Sequence, residues 1–135
     1  MGVKKAYTRT QLEQEISVFI EYCATCDLIP YKKDLQRELE VCSATMKNYR
    51  NKYDGVFDEL ELACQIAIID SALNGHMGME KALYLLVTNY PESRAKMIML
   101  AKDIRTTDTN TLLNNLYALR DELSNKTIRP KNACA

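Results

Sequence analysis

Residues 31–53 read YKKDLQRELEVCSATMKNYRNKY, and their spacing decides how the rest of the chain is understood. Leu35 and Leu39 are four apart, so they share one face of a helix starting near Lys33 or Asp34. Val41 is an apolar plug in the turn that follows. Cys42 or Ser43 opens a second helix, because a short polar side chain there can accept a bond from a free backbone N–H. Met46 and Tyr49 are three apart on one face, and Tyr53 comes at the next turn. Leu35, Leu39, Val41, Met46 and Tyr49 together have the apolar spacing of a helix-turn-helix.

The second of these helices turns a polar face outward: Ser43, Ala44, Lys47, Asn48, Arg50, Asn51 and Lys52. Asn can pair with two edge atoms of adenine, and Lys or Arg can reach guanine or a phosphate. Lys32 and Lys33 begin the first helix, where such motifs touch the DNA backbone. Residues 31–53 hold six Lys and Arg against three acids, a local excess of three. The candidate DNA-binding set is therefore Lys32, Lys33, Ser43, Ala44, Lys47, Asn48, Arg50 and Asn51. Two positions depart from the motif. Glu40 stands where Gly is usual in the turn, and Gln36 where a small residue is usual. The plainer reading of the same spacing is two ordinary bundle helices with no nucleic-acid role.

A chain of 135 residues with four Gly and three Pro suits one domain, or two small ones, of packed helices. The fold class expected is all-α. Net charge is zero, which argues against a protein that coats nucleic acid along its whole surface. The charge is uneven: residues 1–53 carry nine bases and seven acids, residues 54–90 one and six, and residues 91–135 eight and five. This sets three expected regions. They are a helix-turn-helix module over 1–53, an acidic helical hairpin for oligomerisation over 54–90, and C-terminal helices and tail over 91–135. Five Cys, an odd number with no secretory signal ahead of them, predict the reducing cytoplasm. No apolar run reaches about 18 residues, so no membrane partner is expected.

In chain order, residues 1–9 read as a frayed basic start. Thr10 with Glu13 fits a capping box for a helix running to about Thr25, with Leu12, Ile16, Phe19, Ile20 and Cys23 inward. Asp27 to Pro30 is a loop. Asp54-Gly55 is a turn and the candidate hinge. Asp58 caps a helix over about Glu59–Asn74, lined by Leu60, Ala63, Ile66, Ala67, Ile69, Ala72 and Leu73, with Leu62 and Ile68 on a second side. Its apolar arc is wider than one neighbour needs. Asn74-Gly75 stops it, and Gly78 precedes a helix from about Met79 to Asn89. Glu92 to Ile104 reads as a further helix, with Ala95, Ile98, Met99 and Ile104 inward. Residues 106–111 read as a linker. A last helix over about Asn110–Asn125 carries a leucine stripe at 112, 113, 116, 119 and 123, which predicts docking on its own chain before pairing with a copy. The tail TIRPKNACA is too short to fold alone.

Catalytic and metal readings find little to stand on. Cys23-Ala-Thr-Cys26 is a lone CxxC, and zinc needs two more ligands. A redox dithiol opens a helix, whereas this pair ends one, so structural thiols are expected. His76, between two Gly, has no Ser, Cys or carboxylate constellation beside it and reads as a solvated loop residue. The four Gly cannot build a phosphate loop of the GxxxxGK[ST] kind. Glu59/Glu61 and Asp121/Glu122 read as helix-start charges and solvated faces. Met77, Met79, Met97 and Met99 read as core filler. No catalytic residue, metal or cofactor is expected, and the chain is not expected to be an enzyme.

VCSATMKNYRNKYDGVFDELELA, then IIDSALNG, then ALYLLVTNYPE, resembles the small, DNA-recognition subunit of tailed-phage terminases over about residues 12–92. The resemblance implies a homo-oligomeric ring in which the hairpin builds the central assembly and the DNA-binding modules stand outside. It implies recognition of double-stranded viral DNA at the packaging site, and delivery of that DNA to the large, ATP-hydrolysing terminase subunit, in the host cytoplasm. Lys47, Asn48, Arg50 and Asn51 match the exposed recognition-helix positions, with Lys32 and Lys33 before them. The helical reading of 110–125 departs from members that end in a strand-forming segment for the large subunit. Two rivals use the same residues: a helix-turn-helix transcriptional regulator with a helical dimerisation body, and a helical adaptor that meets no DNA.

Overall fold

The computed structural model describes residues 6–90 and 109–133, with side chains of the last helix described over 113–125. All regular structure among the described residues is helical: α1 (Arg9–Thr25), α2 (Lys32–Leu39), α3 (Ser43–Lys52), α4 (Asp58–Leu73), α5 (Met79–Asn89) and α6 (Thr109–Ala133). The helix expected over Glu92–Ile104, with Ala95, Ile98, Met99 and Ile104, lies outside the described residues, as do Met97 and the 106–108 part of the linker. None of the described helices is long and apolar enough to cross a membrane.

The chain divides into two compact units, Met1–Cys64 and Gln65–Ala135. The boundary therefore falls within α4, not at the Asp54-Gly55 turn as expected. The reason is burial. Val56, Phe57 and Leu60, all beyond that turn, belong to the same core cluster as Leu12, Ile16, Phe19 and Cys23 of α1, Leu35 and Leu39 of α2, and Met46 and Tyr49 of α3. Val41 and Tyr53 are partly buried against it.

Three tyrosines fasten α3 to the chain's beginning. The Tyr7 backbone N–H donates to the Tyr49 hydroxyl at 3.1 Å, and the Tyr53 hydroxyl donates to the Tyr7 carbonyl at 2.8 Å. The Tyr7 and Tyr49 rings meet edge to face, and Tyr49 stacks on Tyr53 at 5.9 Å. Arg9 donates to the Asp54 carbonyl at 2.7 Å. Residues 7–9 are thus held in place, a correction to the frayed start. The capping box is shifted too. Thr8 caps α1 with Gln11 as its partner, because Glu13 is drawn into an ion pair with Arg9 at 3.0 Å.

Three helices end on the same backbone device. Leu28 N–H reaches the Cys23 carbonyl at 2.8 Å, Val41 N–H reaches Gln36 at 3.3 Å, and His76 N–H reaches Ser71 at 2.8 Å. In each, the preceding residue is left-handed: Asp27 and Glu40 at φ 58°, Gly75 at φ 80°. These are Schellman closures, satisfying carbonyls that the helix leaves without partners. Only the third uses Gly. At Glu40 the non-glycine costs about 1 kcal/mol of backbone strain.

Among the described residues of the second unit the buried side chains are Gln65, Ile68, Ile69 and Ala72 of α4, Ala82, Leu83 and Leu86 of α5, and Leu116, Leu119 and Leu123 of α6. The α4 stripe differs from the expected one. Cys64, Gln65 and Ile68 are buried, while Ala63, Ile66, Ala67 and Leu73 are half-buried. No residue from Glu59 to Leu73 is exposed. Arg120 of α6 forms an ion pair with Asp70 of α4. Of the leucine stripe, Leu116, Leu119 and Leu123 are buried and Leu113 is half-buried, while the side chain of Leu112 lies outside those described. The helix begins at Thr109 and runs to Ala133, so residues 127–133 continue it, whereas a separate tail was expected.

Candidate nucleic-acid interface

The short turn Glu40, Val41, Cys42 joins α2 to α3. Cys42 is the N-cap of α3, and its thiol meets the Thr45 hydroxyl at 3.3 Å without bonding a backbone N–H. Gln36, too long for the usual motif, reaches across the turn to the Ser43 hydroxyl at 3.4 Å. The departure from a small residue thus becomes a polar tie between the two helices.

Ser43, Ala44, Lys47, Asn48, Arg50 and Asn51 are all exposed on α3, which is about 15 Å long. They form two rows. Ser43, Lys47 and Arg50 are spaced four and three apart, and Ala44, Asn48 and Asn51 repeat that spacing one residue on, about 100° around the helix. The first row joins α2: Lys32, Lys33, Gln36, Ser43, Met46, Lys47 and Arg50 line one open groove of about 320 Å³. Four cations therefore share a single recess whose floor includes the core residue Met46. The second row, alanine and two asparagines, does not line it.

The cations are not equivalent. Lys33 is exposed, whereas Lys32 is half-buried, its ammonium 5.3 Å from the Phe57 ring centre and 3.6 Å from a Glu61 carboxylate oxygen. The same oxygen accepts from Arg50. Burial, and after it the Arg50 charge, hold Lys32 below the usual lysine range, while Glu61 pulls it back up. Arg37 is occupied on the far side by Asp34 at 3.5 Å. Gln36, Met46 and Glu61 were missed from the sequence. Gln36 had a local signal, standing four residues after Lys32. Glu61 had none, being 29 residues from Lys32, and was read as a helix-start charge.

The other sequence candidates are dispersed. Cys23 and Cys64 are buried, Cys26 and Cys42 are exposed, and none of the four is in a disulfide. No cluster of His, Cys, Asp and Glu that could hold a metal occurs among the described residues. His76 is exposed in the loop between α4 and α5, and Met77 and Met79 are half-buried. No known protein family, curated protein or solved structure matches the chain.

Proposed function

We propose that this chain is a non-catalytic DNA-binding protein, the small subunit of a phage terminase, using α2 and α3 as a helix-turn-helix. The observation that carries DNA binding is the pair of rows on α3. A basic row shares its groove with Lys32 and Lys33 and suits phosphate. The adjacent amide row, Asn48 and Asn51, suits base edges in a major groove about 12 Å wide. The packaging role rests on the resemblance over residues 12–92. Each module binds weakly, and a ring of copies multiplies that affinity. The large terminase subunit is the partner that receives the DNA.

Four phosphate contacts per module should cost roughly a hundredfold in affinity between about 50 and 200 mM salt. Changing Lys47 and Arg50 together to Ala should weaken duplex binding about tenfold or more and flatten the salt dependence by about two contacts, with helicity and oligomeric state unchanged. Fluorescence anisotropy against a short labelled duplex measures both quantities. An unaltered affinity removes this surface from the proposal. Light scattering then separates the two DNA-binding readings: a closed higher oligomer supports the terminase role, and a dimer supports a transcriptional regulator. One observation favours the smaller assembly. No residue of Glu59–Leu73 is exposed, and among the described residues of the second unit the large exposed apolar groups are Tyr84 and Tyr117.

A further inference from the structure

Glu61 lies in the first turn of α4, with its side chain 23% exposed. One of its carboxylate oxygens takes both Lys32, from the start of α2, and Arg50, from the end of α3. Both cations line the groove, which Glu61 itself does not. A single internal carboxylate therefore occupies half of the groove's positive charge. Lys33 and Lys47 have no ion pair among the described residues.

A carboxylate and a phosphodiester present the same thing to a guanidinium and an ammonium, namely anionic oxygens that accept charge-assisted hydrogen bonds. We infer that Glu61 is a resident substitute for a DNA backbone phosphate, and that duplex DNA docks in this groove by exchange. A phosphate oxygen takes over Arg50 and Lys32, and the Glu61 carboxylate returns to water. This rests on the DNA-binding reading and adds its regulation. The carboxylate is an intramolecular competitor that holds sequence-independent affinity below what four free cations would provide. Lys32 stays shifted downward, by burial first and by the Arg50 charge second, with Glu61 opposing both.

Glu61→Gln keeps the size and one acceptor while removing the charge. Anisotropy titrations of a short labelled duplex of mixed sequence, across a chloride series, should show affinity raised about tenfold at each salt concentration. The salt slope should stay within about half a unit of the native one, because the native protein already gives both cations to phosphate. Lys32→Gln should flatten that slope by about one. Glu59→Gln removes the same charge from the same turn and should change affinity less than about twofold. The exchange is overturned by any of four results. These are an unchanged or weaker Glu61→Gln with native helicity, an equal gain from Glu59→Gln, a slope about two units steeper in Glu61→Gln, or an unaltered slope in Lys32→Gln. The steeper slope would mean that the native protein never releases its cations. The Lys32→Gln arm stands even if Glu61→Gln does not fold. A native protein that binds no duplex at low salt instead removes the DNA reading itself.

Discussion

Helices α3 and α4 are invested in opposite ways. Of the ten residues of α3, Met46 and Tyr49 alone are buried, and Ser43, Lys47 and Arg50 line a cationic groove. In α4 the run Glu59–Leu73 has no exposed residue, and Leu60, Cys64, Gln65, Ile68, Ile69 and Ala72 are buried. A helix short of apolar surface cannot hold itself in place by burial, because each buried aliphatic side chain contributes only about 1.5–3 kcal/mol. The tyrosine contacts from Tyr7 and Tyr53, the Gln36 tie and the left-handed Glu40 turn do that work for α3 instead. The lesson is that a surface offered to a partner is fixed by few, specific polar contacts, and a surface given to the core by many unspecific ones.

That contrast can be broken by mutation. Ile68→Ala, at a site with no solvent exposure, should destabilise by about 2–5 kcal/mol in chemical denaturation followed by circular dichroism. A loss below about 1 kcal/mol would mean α4 is not packed as described. Tyr49→Phe keeps the ring and deletes the acceptor of the Tyr7 N–H. It should cost about 1 kcal/mol, and should free residues 6–9 to exchange amide protons faster while leaving α4 protected. Equal effects on both helices would show that the tyrosine tie is not local to α3. Glu40→Gly has the smallest effect and the opposite sign. Glycine takes φ 58° without a Cβ clash, so stability should rise by about 0.5–1 kcal/mol, less whatever chain entropy the glycine adds. A fall in stability would mean that the Glu40 side chain contributes more than its strained backbone costs.

Much of this was legible in order along the chain. Leu12, Ile16, Phe19 and Cys23, then Leu35 and Leu39, then Met46 and Tyr49, are buried where their three- and four-residue spacing puts them. The Asn74-Gly75 stop and the Gly78 start lie where their residue types put them. The α4 stripe was not legible, since a helix apolar on nearly all sides has no preferred face to read. Residues 7–9 were misread as frayed because Tyr7 is held by partners 42 and 46 residues away, while residues 1–5 lie outside those described. The eight residues of α6 beyond Asn125 were misread because a short mixed segment has no periodicity to extend.

By itself the sequence determined the helical class, the helix stops and the faces of amphipathic helices, all consequences of backbone conformational preference and of a 3.6-residue repeat acting over a few turns. The tertiary structure alone decided that Lys32, Lys33, Lys47 and Arg50 share one groove and that Glu61 enters their balance. It also decided that the division of the chain falls inside α4. Those facts join residues up to 29 positions apart, and charge acts through space, so no local pattern could have carried them.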